Sequence, residues 1–324
     1  MRFSVIVPLF NKVRYIERTL ESVIAQSWED WEVVVVDDGS TDGSAERVAA
    51  LADPRVRLIR QANAGVAAAR NRGIAEAQGE WVAFLDADDW HHPRYLAALD
   101  CLIEAYPAAS VVATRYRSIV DRDGLVLHPW PIDPADESVE VIRDLPARWL
   151  QGTTLFTSSV AVRTTLLRSL SPCFPVGESL GEDLDLWFRL AERSPVILSH
   201  APLVARLWVP EGLSTAASGL REPPFLERMA RRAANGRIRP RLARSTRIFV
   251  DESRITLART AVCSGARGLA LALLWRSRGG LMRRRWWITL AMALCLPSRL
   301  VKRWQHWRKR RTMLVVEEAV PCRK

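Results

Sequence analysis

Asp86-Ala87-Asp88-Asp89 follows directly on an apolar run, Trp81-Val82-Ala83-Phe84-Leu85. Two carboxylates one residue apart at a strand end leave a buried sheet and meet solvent together. Oxygen donors in that pattern can hold a hard divalent cation, and the cation can hold a diphosphate. Three acids within four residues otherwise repel one another unless solvent or a cation compensates. The competing reading is therefore an acidic, solvated loop. His91 and His92 come next; they either add metal ligands or lead the loop into Pro93.

Three further groups could do chemistry. Asp37-Asp38 precedes Gly39-Ser40. A carboxylate there can accept hydrogen bonds from a base or ribose, or Asp-Gly-Ser only turns the chain and caps the next helix. Gly181-Glu182-Asp183-Leu184-Asp185 opens a later helix. Its acids favourably oppose the helix dipole, and one of them beside an acceptor hydroxyl could act as a general base. Arg70, in Ala69-Arg70-Asn71-Arg72-Gly73, either faces a phosphate or lies on the surface of an Ala-rich helix.

The elements that must position these residues alternate. Residues 4–7, 32–36, 56–59 and 81–85 read as buried strands. Residues 15–26, 41–51 and 66–77 read as the helices between them, and Gly79 follows the last. This alternation predicts an α/β domain with a parallel sheet covered on both faces. Ligands of such sheets bind at the strand C-terminal ends, where both acidic clusters fall. Residues 111–114 and 116–120 are further strand candidates, 125–144 a variable loop and 183–192 a helix.

The net charge of +11 is unevenly spread. Residues 1–225 carry 22 Lys and Arg against 31 Asp and Glu, and no acid occurs from Ser253 to Val316. The basic character belongs to the tail and not to the part with the Asp motif, which argues against nucleic acid as a partner. Residues 221–252 read as a linker or domain edge. Residues 253–324 read as a basic, Trp-rich helical tail with helices over 255–275 and 286–296. The apolar run from Trp286 to Leu296 is about half of the roughly 20 residues a membrane span needs. Trp and Arg around it suit the surface of an anionic membrane; the alternative is a helical bundle with solvated arginines. Five cysteines without a CxxC pair point to no zinc site or disulfide framework. The N-terminal apolar run is too short for a signal peptide, so a cytoplasmic location is expected, peripheral on the inner membrane face.

In this order the pieces resemble the family 2 glycosyltransferases of GT-A fold. The resemblance is carried by Ser4-Val5-Ile6-Val7-Pro8-Leu9-Phe10-Asn11, by the Asp-Asp-Gly-Ser-Thr-Asp of residues 37–42, and by Asn63-Ala64-Gly65 with residues 68–73. It continues through Phe84-Leu85-Asp86-Ala87-Asp88-Asp89 and residues 181–190, covering about residues 1–215. It implies a domain over residues 1–220 that uses a nucleotide-diphosphate sugar. Pro8, Phe10, Asn11 and Asp38 would line the nucleotide pocket, with Asp38 at the base and Arg70 near the nucleotide. Asp86 and Ala87 would lie toward ribose and sugar, and Asp88 would bind Mg2+ or Mn2+. Asp183 would be the catalytic base, with Glu182 beside it, in a hexosyl-type transfer that inverts the anomeric carbon. Asp89 would belong to the turn into Trp90. The implied acceptor is a surface glycan or a lipid-linked sugar. Many relatives carry a His shortly before a Gly-x-Ser segment; residues 206–214 have none, and Arg206 is the basic candidate there. The alternatives are a metal-dependent nucleotidyltransferase, against which Pro8–Asn11 lacks a Gly-rich phosphate loop, and a non-catalytic scaffold on the membrane.

Overall fold

The structure is a computed structural model that describes residues 1–120, 130–178, 180–208, 220–236 and 238–295. The chain divides into two compact units, Met1–Ser218 and Gly219–Lys324.

The first unit is built on a nine-stranded sheet. Strands β1 (Phe3–Leu9), β2 (Trp31–Asp37), β3 (Val56–Arg60) and β4 (Trp81–Phe84) run parallel in the order β3-β2-β1-β4. Helices α1 (Ile16–Ile24), α2 (Ser44–Ala49) and α3 (Val66–Glu76) connect them. Every residue of β1 and β2 is buried. A strand covered on both faces needs an unbroken apolar run, as Val33-Val34-Val35-Val36 supplies. In α1, Ile16, Thr19, Leu20 and Val23 turn inward at helical spacing. The α/β expectation holds for this half.

Beyond β4 the sheet becomes mixed. The chain continues through β5 (Trp90–His91), α4 (Tyr95–Ala105), β6 (Val111–Val120), β7 (Val139–Ile142), α5 (Leu145–Trp149), β8 (Val160–Arg163), α6 (Thr164–Ser169), α7 (Glu182–Ala191) and β9 (Val196–Trp208). β8 is antiparallel to both β4 and β6, β9 runs parallel to β6, and β5 and β7 pair antiparallel with β9. The two strands expected at 111–114 and 116–120 are one strand whose register with β9 shifts on either side of Arg115. The later part of the expected 125–144 loop contains a short 3-10 helix, Pro134–Glu137, and β7.

The second unit is helical: α8 (Pro224–Ala234), α9 (Pro240–Cys263), α10 (Arg267–Arg276) and α11 (Arg284–Cys295). Residues 221–252, expected as a linker or domain edge, hold α8 and the first half of α9. Both helices begin with Pro in the first turn, where the missing N–H costs nothing; the prolines start helices here instead of breaking them. The single helix expected over 255–275 is interrupted at Gly265, whose φ of 84° suits glycine. The core of the unit is Ile255, Ala258, Val262, Leu273, Leu274, Trp286 and Met292.

Its arginines are partly neutralised from upstream. Glu252 binds Arg283 at 2.7 Å and Arg285 at 2.6 Å, and Glu222 binds Arg254 at 2.7 Å and Arg276 at 2.8 Å. Trp275 (72 % exposed), Met282 (97 %) and Trp287 (56 %) stand in solvent. Among the described residues no helix is long and apolar enough to cross a membrane. Trp304 and Trp307 lie outside the described residues.

Candidate active site

The parallel strands end in a common row, and the acids leave from it. Pro8 is buried in β1 opposite Val36, while Phe10, just past the strand, is 46 % exposed. Asn11 adopts φ 51°, a left-handed turn that Asn tolerates better than most residues. Its side-chain oxygen accepts from the Thr41 amide at 2.9 Å, and its own amide donates to Ser40 Oγ at 3.1 Å. The ends of β1 and β2 are thereby tied together.

Asp38 is buried and fully engaged. Gln61 Nε2 and the Ala64 amide donate to its Oδ1 at 2.8 and 2.9 Å, and the Gly65 amide donates to its Oδ2 at 2.8 Å. It fixes the loop that starts α3, while Asp37 takes the helix-turn role by accepting from the Ser40 amide at 3.0 Å. Gly39 has φ 78°, and a Cβ there would sit 3.1 Å from the Asn63 nitrogen. The two carboxylates of this pair thus do different things.

Arg70, on α3, is buried, not on the surface. Its guanidinium donates to Asp86 Oδ1 at 2.7 Å and to Glu182 Oε1 at 3.1 Å, and it lies 5.3 Å from the centre of the Phe174 ring. Burial opposes its charge, but Asp86 and then Glu182 outweigh this and raise its pKa above the ordinary value. Burial, and then the neighbouring Asp183, push the Glu182 carboxyl up, with Arg70 acting against them. Phe84, Phe174 and Trp187 meet edge to face, with ring centres 5.6 to 6.3 Å apart. This aromatic cluster seats α7 on β4, so the acids of residues 86–89 and 182–183 share one neighbourhood.

Asp183 is half-buried at the start of α7. Thr157 Oγ1 donates to its Oδ2 at 3.3 Å and the Leu184 amide to its Oδ1 at 2.8 Å. Both bonds orient the carboxylate and leave lone pairs for a further donor. Asp88 is ion-paired with Lys12 at 2.5 Å. Ala87 is buried, and its carbonyl accepts from Thr19 Oγ1 at 3.0 Å.

Asp89 does more than enter a turn. It is buried, accepting from Ser158 Oγ at 2.5 Å and from the Leu207 amide at 3.0 Å. Burial first, then the charges of Asp86 and Asp88, raise its carboxyl well above the usual range. Ser158 Oγ also accepts from the Asp86 amide at 3.1 Å. The acidic tetrapeptide is therefore pinned to β9 and to the 3-10 turn Thr157–Ser159.

The histidines turn away from the acids. His91 Nε2 meets the Ser158 carbonyl at 2.8 Å, and its ring stacks on Tyr95 at 3.8 Å. Burial lowers its pKa to about 3. His92 Nε2 meets the Trp130 carbonyl at 3.2 Å while its Nδ1 accepts from the Arg94 amide. Among the described residues no group of three or more His, Cys, Asp and Glu could enclose a metal. The chemistry of the donors still fits Mg2+ or Mn2+. Asp86 and Asp88 are partly exposed, all-oxygen and already matched by cationic side chains. Mg2+ usually takes one or two protein carboxylates and completes its shell with substrate phosphates and water.

Lys12, Thr157 and Ser158 escaped sequence reasoning. Lys12 had one signal, its place just beyond the first strand. Thr157 and Ser158 had none, because they arrive on a segment antiparallel to β4, about 70 residues further on. Of residues 206–214, only 206–208 are described; Arg206 lies over the Phe156 ring at 4.9 Å, beside Thr157.

Residues 4–161 match the family described as Glycosyl transferase family 2. The chain is 36% identical over 185 residues to the uncharacterized glycosyltransferase alr2836 of Nostoc sp., covering 54% of this chain and 55% of that protein. It is 42% identical over 120 residues to the succinoglycan biosynthesis protein ExoO of Rhizobium meliloti, covering 37% of this chain and 34% of that one. The chain thus spans at most about half the length of these relatives. Among solved structures, S. aureus TarS 1–349 superposes with a TM-score of 0.65 at 21% identity, over 95% of this chain and 92% of that one. The same protein in complex with UDP-GlcNAc superposes with a TM-score of 0.62 at 24% identity, over 78% of this chain and 71% of that one. Residues 4–161 thus carry the match to glycosyl transferase family 2, and the first unit has the GT-A fold.

Proposed function

We propose that the first unit transfers a sugar from a nucleotide-diphosphate donor to a hydroxyl of a glycan or lipid-linked acceptor, with inversion at the anomeric carbon. The observation that carries this reading is Arg70. It joins Asp86, at the end of β4, to Glu182, beside Asp183 on α7. Donor-side and acceptor-side carboxylates are thereby held together by one buried cation. Asp183 takes the proton of the attacking hydroxyl, oriented by Thr157 and the Leu184 amide. Phe10 offers an exposed ring to the base, and Asp86 faces ribose and sugar. A Mg2+ or Mn2+ ion held at Asp88 would neutralise charge building on the departing nucleoside diphosphate.

UDP-GlcNAc is the first donor to try, because the similar TarS structure carries it. Thermal shift with UDP-GlcNAc and other nucleotide sugars, with and without Mn2+, tests donor binding. A ligand at 100 times its Kd adds about 2.7 kcal/mol of stability. Asp88→Ala should lose the metal-dependent part of that shift. Asp183→Asn should keep donor binding and stop transfer. Full turnover by Asp183→Asn would remove the base assignment, and release of pyrophosphate in place of a nucleoside diphosphate would favour nucleotidyl transfer.

The second unit supports a peripheral location on an anionic membrane surface, on the cytoplasmic face. Trp275 on α10, Trp287 on α11 and Met282 in the turn between them are exposed, and the same stretch carries Arg278 and Arg284, two arginines without a carboxylate partner among the described residues. Exposed aromatic and aliphatic side chains beside arginine are the chemistry an anionic lipid surface selects.

A further inference from the structure

A polar cavity of about 380 Å3 opens between β6 and the segment after α5. Arg115, Tyr116, Arg148, Gln151, Thr153 and Thr154 line it, and no carboxylate does. The setting makes that notable, because residues 1–218 carry 21 Lys and Arg against 30 Asp and Glu. Most arginines of this unit meet an acid; Arg2, Arg57, Arg70 and Arg163 are examples. Arg115 has no acidic partner among the described residues. Arg148 is anchored through its Nε by Glu140 at 2.9 Å, which fixes the guanidinium and leaves its terminal nitrogens without a partner among the described residues. The register shift of β6 falls on both sides of Arg115; such irregularities re-aim side chains at functional edges.

A short chain of contacts links the wall of the cavity to Asp183. The wall residue Tyr116 packs on Phe156 with ring centres 5.0 Å apart. Phe156 precedes Thr157, whose hydroxyl holds Asp183. Thr153 to Thr157 is therefore one short run with cavity wall at one end and the base's partner at the other. Guanidinium forks bind carboxylate and phosphate. The aromatic ring and the Thr and Gln side chains suit the face and hydroxyls of a sugar.

We propose that this cavity is the acceptor subsite and that it takes an anionic glycan, with a carboxylate or phosphate substituent at Arg115 and Arg148 while the attacking hydroxyl reaches Asp183. The proposal rests on Asp183 being the base.

The test uses the full chain and three defined probes: a hyaluronan hexasaccharide for carboxylate, a glycerol-phosphate hexamer for phosphate, and neutral cellohexaose. Their binding is followed by saturation-transfer-difference NMR and calorimetry, beside the binding of UDP with Mn2+. One or both anionic probes should bind at least ten-fold tighter than cellohexaose, and whichever binds better identifies the substituent. Arg115→Ala should weaken the anionic probe about ten-fold, Arg115→Lys should recover most of that, and both variants should keep the wild-type affinity for UDP and the wild-type melting temperature. Equal binding of neutral and anionic probes, binding of none of them, or an unchanged affinity in Arg115→Ala would overturn the anionic subsite while UDP binding stood. Loss of UDP binding by the wild-type chain would instead remove the transferase reading.

Discussion

Replacing Arg70 by Met keeps the length of the side chain and removes its charge. Two carboxylates are then stranded, and they are not equal. Asp86 is 26% exposed and can recruit water, whereas Glu182 is 10% exposed and cannot do so to the same extent. Breaking one side of a buried pair typically costs about 3–5 kcal/mol; the partial exposure of Asp86 puts this case near the lower end, at about 3 kcal/mol. For a unit of this size, each kcal/mol lowers the melting temperature by roughly 2–4 °C, so a fall of about 6–12 °C is expected. Loss of the Arg70 contact with the Phe174 ring acts in the same direction. The sign with pH follows from Glu182, whose carboxyl is already raised by burial. A carboxyl raised in the folded state contributes stability below its unfolded pKa and loses it as pH rises through the folded pKa. Without Arg70 the folded pKa rises further, so the deficit should be smaller at pH 5 than at pH 8. Adding Glu182→Gln should restore part of the loss, since it removes the stranded charge, and a double-mutant cycle isolates the coupling. Scanning calorimetry of the four proteins at both pH values reads all of this. A fall below about 2 °C, or a deficit that grows toward pH 5, would refute the reasoning.

Lys12→Met removes the cation that occupies Asp88. An exposed pair of this kind is worth about 0.2–1 kcal/mol, so Mn2+ affinity without nucleotide, followed by electron paramagnetic resonance, should rise by up to about five-fold; weaker binding would contradict the assignment of Asp88. His91 is held neutral by burial, with a pKa of about 3 against an ordinary 6.5. The unfolded chain therefore takes up the proton first as pH falls, and stability should drop by about 2 kcal/mol between pH 6.5 and pH 5. His91→Phe should flatten that slope in urea titrations, even though it loses the bond to the Ser158 carbonyl; an unchanged slope would sink the assignment. Trp275→Ser combined with Trp287→Ser should release the chain from vesicles containing phosphatidylglycerol in a sedimentation assay, and retention equal to wild type would leave the second unit without a membrane role.

What sequence could reveal depended on how far apart the partners lie. The parallel strands were legible because β1, β2 and β4 are apolar runs that meet Pro8, Asp37 and Asp86, β3 has a β-branched start, and the acids at residues 37–38 and 86–89 fall at strand ends. In the mixed half β6 and α7 were legible, but β5, with two residues, is too short for a period to register, and β7 and β8 are short runs without a strong apolar signal of their own. Arg70 illustrates the limit at the site. Its helix was evident, yet burial between Asp86 and Glu182 depends on a residue 112 positions away. Asp38 was visible as a candidate, but its occupation by the loop at residues 61–65 follows only from the packing of β2 beside β3. In the second unit, α8 and the start of α9 were not legible as helices, because helix-starting and helix-breaking prolines look alike until the flanking periodicity is placed.

The position of β9 has a consequence for how the protein is made. It is the last strand of the first unit to leave the ribosome, yet it lies inside the sheet, between β6 and β5, and β7 pairs with it as well. Trp90 and His91 wait for Ala205 and Val204 to complete their pairing, and Asp89 waits for the Leu207 amide. At a synthesis rate of about 5–20 residues per second, the acidic motif waits roughly 6–24 s for its last backbone partner to be made. During that interval the nascent chain already has its parallel half but carries an open strand edge and a carboxylate that has not yet been enclosed. The unit should therefore close only after residue 208, well beyond the end of the family match at residue 161, and a nascent chain stalled between those points should remain sensitive to protease.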